Sequence, residues 1–238
     1  MVCNSGVRVA PSIDGVVHTF AEHGLYDGLF LMRDEETGTY WDHVTGEAVY
    51  GPQVGTVLEI SNLLHSRAGQ VLANHPDALV ALSDRNLRSD KDMRTGSLLS
   101  RIGGQLSRMF SSTVDEEDAR LPTMDLGLGI WKGEKARYYS YKRVVAENSA
   151  ILDTFQGRQT LVFLDPSSYV LSSFHVDADS VWWDDDVLRM SNGQYIEGSI
   201  LYHPDQTRVK RARPLQIFTR WYGFALTFPN AEIYGDGR

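Results

Sequence analysis

Cys3 is the single cysteine in this chain of 238 residues. An internal disulfide is therefore excluded, and so is a two-sulfur metal or redox centre drawn from this sequence alone. No stretch approaches the ~18 consecutive apolar residues that span a bilayer. The opening residues lack the charged leader and apolar core of a signal peptide. Basic charge is scarce too. Lys+Arg number 23 against 31 Asp+Glu, a formal net charge of -8. That argues against nucleic acid or an anionic membrane as a partner, since both need a broad basic face. No Gly-rich nucleotide loop, serine nucleophile elbow or pair of histidines at helical ligand spacing occurs.

What the chain does have is internal repetition. It is 42% hydrophobic and 11% aromatic, enough to build a core. Residues 66–81, "SRAGQVLANHPDALVA", lie over residues 219–234, "TRWYGFALTFPNAEIY". Leu64, Ala68, Val71, Leu72 and His75 recur at the offsets of Ile217, Trp221, Phe224, Ala225 and Phe228. Each set forms one apolar helical stripe. Pro76 and Pro229 stop the two helices, and a short strand, "ALVAL" or "AEIY", follows each. Upstream, "TGTYWDHVTGEAVYGP" and "NGQYIEGSILYHPD" both read as hairpins around Gly turns.

The second copy also carries "LGLGIWKGEKARYYSY", a short helix over "KRVVAENSAIL", and a hairpin around Gln156-Gly157. The first copy has no counterpart of these. The expected fold is α+β and mainly β, a duplicated repeat of antiparallel hairpins plus one amphipathic helix per copy, the first copy incomplete. Residues 1–82 form the partial first repeat, 83–125 a polar linker or lid, and 126–238 the complete second repeat. "MVCNSGVRVA" is then a strand at a broken edge near the interface between copies. Its unpaired backbone over residues 1–10 offers a surface for oligomerisation.

"CNSGVRVAPSIDGVVHTF", followed by "GLYDGLFLMRDEETGTYWDHVTGEAVYGP", resembles the bacterial, archaeal and fungal family catalogued as domain of unknown function 3179. "KGEKARYYSY", "LDTFQGRQTLVF" and "RWYGFALTFPNAEIY" are similar to its second half. The resemblance implies a Cys-x-x-Cys turn whose second cysteine is Cys3, the first falling one place before Met1. It also implies that some members are exported or membrane-tethered. It implies no activity.

A single thiol can act as ligand or nucleophile, and a buried inert cysteine is the alternative for Cys3. His43 follows Trp41 by two, which places both on one strand face, and it precedes the Thr45-Gly46-Glu47 turn. Cys3 and His43 are the expected metal ligands, suited to a transition metal such as zinc or copper. His43 and Glu47 are the candidate catalytic pair, with Tyr26 and Trp41 as ligand-binding residues. Asp34, Glu35 and Glu36 read as solvated turn carboxylates. The basic run Arg208, Lys210, Arg211 and Arg213 reads as protection of a sheet edge. Two functions stay open: a ligand- or metal-binding domain, possessing catalysis or not, with its pocket around Cys3, and a non-catalytic interaction or scaffold module. The partners would be a small molecule or a metal, and not nucleic acid.

Overall fold

A computed structural model describes residues 6–26, 29–80, 117–210 and 213–236. It is mostly β, with several antiparallel sheets and, among the described residues, three short helices. No helix among those residues is long and apolar enough to cross a membrane.

The first part of the chain is framed by two strands. β1 (Val7–Val9) pairs antiparallel with β8 (Ile60–Asn62). Between them run a small hairpin, β2 (Ser12–Ile13) and β3 (Val16–Val17), and a four-stranded meander. The meander is β4 (Phe20–Tyr26), β5 (Leu29–Asp34), β6 (Tyr40–Asp42) and β7 (Ala48–Tyr50). Its core is Ile13, Trp41, Ala48 and Leu58. Helix α1 (Ala68–Asn74) follows β8. The edge expected over residues 1–10 is met on one side: Val7 to Val9 face β8, and the Ala10 N–H donates to the Glu59 carbonyl at 2.8 Å.

The second part opens with the hairpin β9 (Leu126–Lys132) and β10 (Lys135–Ser140), continued by α2 (Tyr141–Ala146). A three-stranded sheet follows: β11 (Ala150–Phe155), β12 (Arg158–Leu164) and β13 (Leu171–His175). Gln156 and Gly157 join its first two strands, both at positive φ, as the sequence predicts for a tight hairpin turn. A second four-stranded meander comes next: β14 (Val181–Asp184), β15 (Val187–Met190), β16 (Tyr195–Glu197) and β17 (Ile200–Tyr202). The chain then runs through β18 (Leu215–Arg220), α3 (Trp221–Thr227) and β19 (Glu232–Ile233). β18 and β19 join the β9–β10 hairpin in one sheet, of order β18-β9-β10-β19.

α1 and α3 begin and end alike. Arg67 and Arg220 precede them with φ, ψ of -86°, 145° and -84°, 149°. At their ends, His75 donates to the Val71 carbonyl at 2.7 Å and Phe228 to that of Phe224 at 2.8 Å. Their burial differs. α3 buries Trp221, Tyr222, Gly223, Phe224 and Ala225, whereas α1 buries no residue. The reason lies in what each meets. Phe224 packs onto Gly129 of β9, where an added Cβ would overlap its ring, while the exposed Leu72 of α1 meets no such surface. The strand expected over "ALVAL" is not formed at 78–80, and residues 81 and 82 lie outside the described residues. So do residues 83–116 of the polar stretch. The two parts share a core: Val44, Val7 and Ile60 pack with Trp131, Ile217 and Phe228.

Candidate functional site

β18 enters its sheet from Arg213-Pro214, beside β8. Asn62 binds this entry twice. Its Nδ2 donates to the Pro214 carbonyl at 2.7 Å, and its Oδ1 accepts the Gln216 N–H at 2.9 Å. The Gln216 side chain is 2% exposed and lies against β13. Its Oε1 accepts from the Ser173 N–H at 2.7 Å and from the Ser173 hydroxyl at 2.8 Å. Because a backbone N–H can only donate, these bonds fix which end of the amide is oxygen. Gln216 Nε2 is left buried and without a partner among the described residues.

The Arg213 guanidinium sits over the Phe174 ring, 3.8 Å from its centre. It donates to the Ser172 hydroxyl, to the Ser173 carbonyl at 3.1 Å and to the Ser199 carbonyl at 2.6 Å. Burial pulls its pKa down to about 10, against the opposing field of Asp165. Asp165 itself is buried, and burial alone would raise its pKa. Hydrogen bonds from Ser199, Gln70 and Ser167 outweigh that and hold it below the ordinary value.

Arg213 and Gln216 line a cavity of about 260 Å³. Its second wall comes from α1 and the residues before it, including Leu64, His65, Val71 and His75. The helix is held there by polar contacts. Gln70 Nε2 donates to Asp165 at 2.8 Å, Asn74 Nδ2 donates to the Gly198 carbonyl at 2.9 Å, and Arg208 donates to the Asn74 carbonyl at 3.0 Å.

A second polar cluster joins His18, Asp34 and Glu36, whose ligand-type atoms lie within 4.8 Å of one another. Asp34 is fully occupied by protein donors. It accepts from the Trp41 indole at 2.8 Å, from the Thr37 N–H at 2.6 Å and from the Thr37 hydroxyl at 2.8 Å, and His18 Nδ1 lies 3.3 Å away. Burial opposes its charge, but these bonds prevail and bring its pKa down to about 2. Glu36 accepts the Thr19 N–H with both oxygens. A metal would have to displace those donors, so the cluster reads as a node that ties the 34–37 turn to Trp41.

The family model described as "Protein of unknown function (DUF3179)" matches residues 1–229. The chain belongs to this family. No curated protein and no solved structure matches it.

In this DUF3179 chain the residues singled out from sequence fall in separate places. Tyr26 and Glu47 are both exposed and line one open groove of about 690 Å³, with Tyr50 and Leu226. Trp41 is buried in the meander core, its ring edge-on to Phe20 at 6.0 Å. β6 ends at Asp42, so His43 stands on a turn and leaves the face of Trp41. It is 5% exposed, edge-on to Phe30 at 5.3 Å, and beside Thr219 and Phe224 of the second part. Its Nδ1 has no partner among the described residues. Cys3 lies outside the described residues. Of the cavity residues, the sequence marks Leu64, Val71 and His75 as one helical stripe and does not mark Arg213 and Gln216 as a pair. Arg213 was counted with a surface run, and the one signal for Gln216 was a carboxamide inside the apolar string Leu215, Ile217, Phe218.

Proposed function

We propose that this chain is a small-molecule-binding domain whose ligand occupies the cavity between α1 and β18. The observation that carries the reading is Gln216, a buried carboxamide in the cavity wall with its nitrogen unpartnered. A buried donor left unsatisfied costs about 1–3 kcal/mol, which a bound acceptor would relieve. Side chains that bind and orient dominate here. A guanidinium and a carboxamide do not exchange protons near neutral pH, so these two side chains serve to bind and orient. Ligand-observed NMR with a fragment library, on wild type and on Val71→Phe, tests it. The larger side chain should fill the cavity and abolish the hits. Equal binding by both proteins would place the ligand elsewhere.

A second reading keeps a metal or ligand in the first part, at Cys3 and His43, with Glu47 as a catalytic partner and Tyr26 and Trp41 as further contacts. The unpartnered Nδ1 of His43 favours it. It rests on the duplication, which the matched ends of α1 and α3 support, as does the shared order of strand, four-stranded meander, strand and helix. On that duplication Asp165 lies roughly opposite Cys3 and Ser199 roughly opposite His43, and Asp165 and Ser199 hydrogen-bond. Metal analysis of wild type, Cys3→Ser and His43→Gln tests this reading. Equal, negligible metal in all three would remove it.

A further inference from the structure

Resting on the cavity reading above, we infer that the ligand is a small monocarboxylate with an apolar body, its carboxylate seated on Arg213. The argument starts from a donor count. Arginine has five N–H donors, and Arg213 spends three on Ser172, Ser173 and Ser199, all neutral acceptors. Two remain without an acceptor among the described residues, where Arg213 also forms no ion pair. The buried carboxylate whose field acts on it, Asp165, is engaged by Gln70, Ser167 and Ser199. The planar fork of a guanidinium matches the two oxygens of a carboxylate. Gln216, in the same wall, has an unpartnered amide nitrogen.

Charge and shape narrow the class. Arg213 is the one permanently charged cation in the lining, and the field of Asp165 that acts on it favours one negative charge over two, which disfavours a phosphate dianion. The lining also carries His65, Asn74 and His75, and its apolar part is supplied by Leu64, Val71, Leu171, Ile200 and Phe218. Apolar lining with a few polar groups that fix orientation is the usual arrangement of a small-ligand site. About 260 Å³ holds a short aliphatic acid and no large cofactor.

The test is calorimetry on the full chain with three probes: hexanoate, hexanamide and inorganic phosphate. Hexanoate should bind, hexanamide at least tenfold more weakly, and phosphate not measurably. Arg213→Met should weaken hexanoate at least tenfold, and Gln216→Met by a smaller factor. Because Arg213→Met alters a buried residue, wild type supplies an independent readout: hexanoate should shift the side-chain NH2 signals of Gln216. Hexanamide binding as tightly as hexanoate, with the same NMR shifts, would overturn the carboxylate assignment and leave the cavity reading standing. Phosphate binding more tightly than hexanoate would overturn it in favour of an oxyanion site. If no probe binds and the fragment hits survive Val71→Phe, both readings fall.

Discussion

Gln70 on α1 and Asp165 after β12 meet in a hydrogen bond of 2.8 Å, across 95 residues of sequence. With the Asn74 to Gly198 bond, it docks a helix that buries none of its own side chains. Such a helix lacks the apolar burial that normally stabilises one this short. Gln70→Ala combined with Asn74→Ala should therefore release α1 without unfolding the rest. Hydrogen exchange at residues 71–75 should quicken, while global stability falls by no more than about 2 kcal/mol, two net hydrogen bonds. Loss of cooperative unfolding across the whole chain would show that α1 is integral to the core.

Asp34 makes stability depend on acid in a defined window. Its folded pKa of about 2 lies below its ordinary 3.8. The unfolded chain therefore binds more protons between those values, and lowering the pH favours unfolding. The contribution is present in full above about pH 5 and is lost as pH falls towards the folded value. A shift of this size corresponds to about 2 kcal/mol. Denaturant titrations at pH 6 and pH 2 should show that increment in wild type and lack it in Asp34→Asn. An equal pH dependence in both proteins would mean that Asp34 is not held ionised by Trp41 and Thr37.

How far these features were legible depends on their range. The Gln156-Gly157 turn and the proline stops after both helices are local, and period and turn chemistry announce them. Arg213 was misplaced because alternation along "TRVKRARP" says which residues share a face, not which face is covered. Its cover comes from Ser172, Ser173 and Phe174 of β13, distant in sequence. His43 shares a face with Trp41 only if the strand continues, whereas β6 stops at Asp42. Strand ends are set by hydrogen-bond partners, and a single sequence does not display them.

His43 separates the two functional readings. A buried ring nitrogen without a partner is unfavourable by roughly 1–3 kcal/mol, and leucine nearly conserves the volume against Phe30 and Phe224. If nothing external binds His43, His43→Leu should raise the melting temperature by a few degrees. A fall of several degrees, together with loss of bound metal, would favour the site at Cys3 and His43 instead.

Gly129 is the sharpest packing test of the second part. β9 reads "LGLGIWK", and glycine is ordinarily weak in a strand interior. Here it serves close approach. A Cβ at Gly129 would overlap the Phe224 ring, and Phe224 is itself wedged against Tyr138, with ring centres 5.5 Å apart, and Phe228, at 5.0 Å. The ring cannot retreat without disturbing the cluster that joins both parts of the chain through Val44 and Ile60. Overpacking of this kind costs about 1–3 kcal/mol, and Gly129→Ala should lower stability by that amount. Phe224→Leu alone should also destabilise, by leaving a cavity. The double variant should lose less than the sum of the two, because the smaller side chain makes room for the added methyl. Strict additivity in denaturant melts of the four proteins would show that Gly129 and Phe224 are not in contact.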